Sequence, residues 1–359
     1  MMTDPHDSEH QHTLREAISI IPDSCYENPT GKGILYLLWA VLIYGFSLGA
    51  LFYTDNPVLL LALWVLTGLS VSSLFILGHD ACHGALFKSK KLCRAIGRAL
   101  MLPSLHIYNA WDMGHNRVHH SFTIRQHKDF VWHPLTAQEY HGLSRLQKAM
   151  HRIEWSAFGA GIYYLLEVWW KKMVVLRSSK KLAESIRQDK RFVLYFVLLS
   201  VAGAVAIGLA SGTGAAYALW VWCKVLIVPW LIFNHIIGAT VYIHHIQPDI
   251  AWHADGLWSK FKGQVEGTTN IRVPALLNLF FHNIFVHIPH HVDPRIPFYH
   301  LPAAAEAIKE HYPEEVHDLP FGLYDYWRAT KHCKLYDFDE NVWLDYRGRS
   351  PQAEDLAVA

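Results

Sequence analysis

Two apolar runs, 33–53 and 57–77, carry no charged residue and are separated only by Thr54, Asp55 and Asn56. A helix of about 20 residues crosses the roughly 30 Å hydrocarbon layer of a bilayer, so each run is long enough to span it, and three residues leave room only for a tight hairpin. A second pair follows at 192–210 and 215–243, joined by Ser211-Gly212-Thr213-Gly214. The fourth run exceeds one crossing and contains Lys224, Pro229, Asn234 and His235; Lys224 is expected to snorkel to the outer surface and Pro229 to kink the helix. Both connectors lack Lys and Arg, whereas the segments at the opposite ends are rich in them. The positive-inside rule therefore puts the N-terminus, the central segment and the C-terminus in the cytoplasm. With 52% hydrophobic residues and 14 Trp, the composition is too apolar for a soluble domain of this size. The expected fold class is an all-α integral membrane protein, four transmembrane helices under a cytoplasmic helical cap.

Three histidine boxes adjoin this frame: His79-Asp80-Ala81-Cys82-His83, His115-x-x-x-His119-His120 and His287-x-x-His290-His291. Two hairpins make four crossings, and that even count puts all three boxes on one side of the membrane. Residues three or four apart share a helix face, so His79 with His83, His115 with His119, and His287 with His290 and His291 can each point into one site. The doubled pairs add a ligand rotated by about 100°, a splay that suits two neighbouring metals. Eight imidazoles exceed what one zinc site takes, and imidazole serves iron, copper, nickel and zinc alike, so ligand type alone leaves the metal open. Asp80, Asp112, Asp129 and Asp293 are candidates to orient the rings. The chain has 25 histidines in 359 residues, so for a single box a solvated surface pair is the plain alternative. Three boxes beside apolar spans weigh against it.

The net charge of +1 implies no nucleic-acid partner. Cys25, Cys82, Cys93, Cys223 and Cys333 are odd in number without C-x-x-C spacing, which points to a reducing compartment rather than a disulfide scaffold. Residues 1–32 read as a polar tail with solvated His6, His10 and His12, and no cleaved signal peptide is expected. The main domain is expected over 33–311 and a C-terminal cytoplasmic extension over 312–359, with a helix at 303–311 and a disordered end from Ser350. The aromatic stretch 161–170, which carries Glu167, is expected to lie in the membrane interface. Lys88, Lys90, Lys91, Arg94 and Arg98 follow the first box and fit either lipid headgroups or an acidic electron-carrier protein.

The boxes, the four-span layout and the words Gly78-His79-Asp80-x-x-His83-Gly84, Trp111-x-x-x-His115-x-x-x-His119-His120, Asp129-x-x-Trp132-x-Pro134, Phe281-His282-Asn283-Ile284 and His287-Ile288-Pro289-His290-His291 resemble the membrane-bound fatty acid desaturases. The last two, with Ile296-Pro297-x-Tyr299, are most similar to the Δ12 (omega-6) acyl-lipid branch. The resemblance implies two non-haem irons held by the eight box histidines and O2-dependent removal of hydrogens from adjacent carbons of an acyl-chain lipid, leaving a cis double bond. It also implies an external electron donor, a ferredoxin or a b-type cytochrome, and a bacterial inner membrane as the location. The three residues inside the first box match that branch and disfavour an acyl-CoA substrate. Family position adds His245 as a ninth metal ligand, with only one of the adjacent His244 and His245 able to face the cluster, and His282 as the next candidate. Related hydroxylases and ketolases of lipids or hydrocarbons share such boxes and are the alternative. A histidine-rich metal transporter is a more distant one, since it would set its histidines within the spans, where only His235 lies.

Overall fold

The computed structural model describes residues 12–176 and 179–350; His6, His10, Arg177 and the end beyond Ser350 lie outside them. Four of its helices are long and apolar enough to cross a membrane. After the short α1 (Leu14–Ser19) come α2 (Thr30–Tyr53) and α3 (Pro57–His83). Asn56 starts α3 by accepting the Val58 and Leu59 amides on its Oδ1, and Pro57 occupies the first helical position, where its missing N–H costs nothing. Gly84 ends the helix in the left-handed conformation, φ 74°, immediately after His83. The first box therefore closes the last turn of a 27-residue helix about 40 Å long, which outruns the hydrocarbon layer.

The segment that follows carries α4 (Lys90–Leu100), α5 (Tyr108–Gly114), α6 (His120–Phe122), α7 (Ala137–Gly142), α8 (Arg145–Glu154) and α9 (Ala160–Tyr163), the last continuing as a π-helical stretch over Tyr164–Val174. α10 (Lys180–Ala210) forms the third apolar helix. The fourth is built from α11 (Gly214–Trp222), a π-turn over Cys223–Ile227 and α12 (Val228–His245). Lys224 sits in that π-turn fully buried, with Nζ 2.9 Å from Asp55 Oδ1 and 3.1 Å from the Thr54 carbonyl. It reaches the connector end as expected but ends in protein rather than at the surface, because Asp55 and the free carbonyls ending α2 replace water around the ammonium. Trp220 donates to the same Asp55 oxygen, so the two hairpin tips meet at one end of the bundle. The histidine boxes lie at the other.

The remaining chain supplies α13 (Ala275–Phe281), α14 (Ile288–Val292), α15 (Leu301–His311) and α16 (Leu323–His332). β1 (Thr269–Arg272) pairs in parallel with β2 (His317–Pro320), and β3 (Leu335–Asp337) pairs antiparallel with β4 (Val342–Leu344). Residues beyond 311 pack into the main core: Tyr242 on α12 donates to the Cys333 carbonyl, and Trp343 to that of Ile250.

The 160–174 stretch packs against α12. Trp132 stacks on Tyr163 with ring centres 3.7 Å apart and donates from Nε1 to the Gly238 carbonyl. This approach requires glycine, because a β-carbon at Gly238 would collide with the Ala160 carbonyl. Gly238→Ala is expected to force α9 off α12 and cost about 1–3 kcal/mol, read as a lower unfolding temperature in detergent. An unchanged temperature would show that the contact is compliant.

Candidate metal centre

Nine imidazoles from four helical segments converge in two adjoining groups, with the ligand atoms of each group within 4.8 Å of one another. His79, His83, His115, His120 and His290 make the first; His119, His245, His287 and His291 make the second. Box one thus enters a single group, whereas both doubled pairs are split, His119 from His120 and His290 from His291.

The second box departs from the expected α-helical register. His115–His119 forms a π-turn, and the longer repeat aligns residues five apart rather than four. His115 consequently faces His120, Nε2 to Nε2 3.2 Å, and not His119. His79 Nε2 lies 2.7 Å from His115 Nε2 and 3.4 Å from His83 Nε2. In the second group His287 and His291 bring their Nε2 atoms to 3.1 Å.

Ring orientation in the second group is set by oxygen acceptors. His119 Nδ1–H donates to Asp129 Oδ1 at 2.8 Å, His245 Nδ1–H to the Gly267 carbonyl at 2.9 Å, and His291 Nδ1–H to Gln264 Oε1 at 2.8 Å. Each bond fixes the tautomer, leaving Nε2 with a lone pair for the interior. Gln264 is itself oriented by donating to the His120 carbonyl, 3.0 Å. Burial alone would raise the Asp129 carboxyl, but His119, His245 and the Val131 amide together outweigh it and hold the group below its ordinary value.

Of the four carboxylates expected near the rings, only Asp129 hydrogen-bonds one, and Asp80 Oδ1 stands 4.0 Å from His79 Nδ1. Asp80 Oδ2 accepts the Phe298 amide, Asp112 pairs with Asn116, and Asp293 binds Arg295 and the Tyr26 hydroxyl. His282 also falls outside both groups: its Nε2 is 2.6 Å from Ser73 Oγ, at the end of α13. The left-handed cap at φ 45° turns the ring toward α3 before the third box begins, away from both groups. His244 stacks on His287, ring centres 3.8 Å apart, and joins neither group. Gln264 and the Gly267 carbonyl were not legible in the sequence, since an isolated glutamine and a backbone oxygen in a connecting segment have no pattern.

Burial pushes His115, His120, His287, His290 and His291 far below the ordinary imidazole range, and their neighbours push the same way. The rings are therefore neutral. Both nitrogens of His290 and Nε2 of His245 are buried without a hydrogen-bond partner, while the Nε2 atoms of His79, His83, His115 and His120, and those of His287 and His291, meet only one another. Two nitrogens bound at right angles to one ion at about 2.1 Å would lie about 3.0 Å apart, close to the separations within the groups. Converging, inward-facing imidazole nitrogens fit a metal in each group.

A narrow slot opens against the rings, lined by Phe75, Ile76, Trp111, Ile237, Val241 and Ile284 together with His79, His115, His119 and His287. The Thr240 hydroxyl, also at the slot, donates to the Ile236 carbonyl 2.8 Å away. The centre therefore has an apolar approach.

A helical membrane protein whose spans carry paired imidazole groups against an apolar slot has the makings of an enzyme for lipid chains. The fatty acid desaturase family model matches residues 56–322, well over half of the chain, and the chain belongs to that family. It is an oxidoreductase. Among its relatives, the sn-1 oleoyl-lipid 12-desaturase of Anabaena variabilis is 26% identical over 91% of this chain and 90% of its own length. The chloroplastic omega-6 fatty acid desaturase of Glycine max is 26% identical over 92% of this chain and 75% of its own. The sn-1 acyl-lipid omega-3 desaturase (ferredoxin) of a Nostoc species is 27% identical, with coverage of 95% and 93%.

Asp129→Asn keeps the shape but removes the charge that fixes His119. It is expected to weaken metal retention about 10–100-fold in a chelator competition. Retention equal to the parent would show that Asp129 serves the fold alone.

Proposed function

We propose that this chain is an O2-dependent di-iron acyl-lipid desaturase that introduces a cis double bond, Δ12-like in position. The observation that carries this reading is the meeting of two converging imidazole groups with a slot whose remaining wall is almost wholly apolar. His79, His83, His115, His120 and His290 would hold one iron, and His119, His245, His287 and His291 the other. When bound, the two irons supply the O2-dependent oxidation that takes two hydrogens from neighbouring methylenes, a step beyond any side chain. The protein's own part is positional. Phe75, Ile76, Trp111 and Ile284 hold a hydrocarbon chain against the rings and exclude water, while Asp129, Gln264 and the Gly267 carbonyl keep the imidazoles in the tautomer that faces inward. The branch assignment is supported by the relatives named for oleoyl-lipid 12-desaturation and by the three-residue spacing of the first box.

The proposed topology sets the centre on the cytoplasmic side of a bacterial inner membrane, from the hairpin connectors without Lys or Arg and the basic opposite end. Gas chromatography of lipids from a host expressing the chain tests the reaction; a dienoic product with its new bond at the Δ12 position is expected. A hydroxylated or keto product would assign the chain to the oxygen-inserting relatives instead. His245→Ala should lower bound iron and activity about tenfold or more, whereas His244→Ala should leave iron content unchanged. The reverse order would move the ninth ligand by one residue.

Electrons are proposed to come from an external ferredoxin or b-type cytochrome at the basic surface beside the first box. Lys88, Lys90, Lys91 and Arg94 are exposed, and Arg98 is engaged with Asp189 at 3.1 Å. Lys90 and Arg295 flank half-buried His83 in a polar cavity of about 560 Å³, where the first group comes nearest to water. Reversing Lys90 and Lys91 to Glu should slow reduction and flatten its salt dependence. An unchanged rate at low salt would remove the donor from this face.

A further inference from the structure

The cavity between α2 and α13 is separate from both imidazole groups. It measures about 420 Å³ and is lined by Leu35, Tyr36 and Trp39 on α2, Leu279 and His282 at α13, and Phe298. Its apolar lining is partly outward-facing, with Leu35 66% and Leu279 46% exposed, which suits contact with lipid rather than water. Trp39 Nε1 donates to the Leu279 carbonyl at 3.1 Å and ties α13 to α2 about 14 Å from the box-side start of that helix. Tyr and Trp at such a level mark a membrane interface.

None of the lining residues is ionised, so the wall offers no counter-ion to a phosphate or a free carboxylate. Asn278 and Asn283, also on the wall, are spent on each other and on the Phe298 carbonyl. His282 has capacity left. Among the described residues its ring makes one hydrogen bond, between Nε2 and the Ser73 hydroxyl. If Ser73 donates, Nδ1 carries the proton and can donate once more. Burial pushes His282 down to about 3, so the ring is a neutral donor. Ser70 and Ser72 bond carbonyls four residues back on α3, whereas Ser73 is turned to His282. Ile284, two residues after His282, and Ile76, three after Ser73, both line the slot at the rings, so the His282–Ser73 pair belongs to the same two segments that wall the slot.

Resting on the acyl-lipid reading above, we propose that this cavity is the lateral binding site for the ester end of a membrane glycerolipid, whose carbonyl accepts from His282 Nδ1–H while its chain passes to the slot. His282 is then a positioning residue and not a metal ligand. An ester matches the wall because it is uncharged, accepts hydrogen bonds and carries an apolar tail. The proposal separates this place from the cavity at His83, whose Lys90 and Arg295 would suit a carrier bearing phosphates.

The test uses the full-length iron-loaded protein in phosphatidylcholine nanodiscs containing a phosphatidylcholine with a diazirine near the carboxyl end of one acyl chain. Illumination and peptide mass spectrometry should locate adducts in residues 275–283 and 35–39, and Leu35→Trp, which narrows the mouth, should reduce them severalfold. His282→Ala should raise KM for the lipid about tenfold, the worth of one hydrogen bond, with kcat within about twofold and bound iron unchanged. His282→Asn, which keeps a donor near Nδ1 and tolerates the left-handed backbone, should restore most of the loss. Loss of iron in both variants would overturn the assignment in favour of ligation. Adducts unaffected by Leu35→Trp, or gathered around His83, would overturn it in favour of another approach. Labelling at 275–283 without any desaturated product would support the cavity and sink the desaturase reading, and desaturation of lipid without such labelling would do the opposite.

Discussion

The structure turns on neutral imidazoles buried with their lone pairs facing one another. A buried nitrogen without a partner costs about 1–3 kcal/mol, and the two groups contain several. Protonation would relieve a lone pair only by burying a charge beside other rings, which burial and the neighbouring imidazoles both oppose. A cation held in each group would take up the inward-facing lone pairs together. The fold around the groups serves to keep the rings neutral, converged and unable to turn away. Asp129, Gln264 and the Gly267 carbonyl do this on one side, and on the other Trp111 stacks on His115 with planes within 10°.

Two helices carry the burden because they are longer than a bilayer needs. Gly214–His245 spans 32 residues, about 48 Å, so it delivers His245 beyond the hydrocarbon while its apolar length remains within it. α3 does the same for His79 and His83. The π-turns adjust register where an α-helix would miss. At His115–His119 the turn realigns the second box, and at Cys223–Ile227 it precedes Pro229 and sets Lys224 against Asp55. That pairing joins the two hairpins at the far end, so helix positions at the centre are constrained from both sides.

The spans were legible because a run of twenty apolar residues with short connectors has few other physical meanings, and the boxes because imidazoles at helical spacing beside such spans are rarely idle. What could not be read was set by geometry without a local signal. The π-turn has no composition of its own, so His115 and His119 looked like partners when they face different groups. Asp80, Asp112 and Asp293 stand as close to boxes in sequence as Asp129 does, yet each finds another partner: the Phe298 amide, Asn116 and Arg295. His282 lies five residues before the third box, but a left-handed cap intervenes, and nothing in the residue types announces it. His245 could be favoured over His244 only through the resemblance, and it is the ring whose Nδ1 finds the Gly267 carbonyl.

α3 also links the parts of the proposed reaction that must be in fixed relation. Ser73, Ile76 and His79 follow one another along it at three-residue steps, and from the His282 contact to the first ring is about 9 Å of rigid helix. An enzyme that attacks one methylene among many identical ones cannot recognise its target by chemistry, so it must measure from a distinguishable end. A ruler made of helix holds its length better than one made of loop. With the ester held near Ser73 and the imidazole groups beyond His79, this rigid segment would fix where the carbonyl sits relative to the rings.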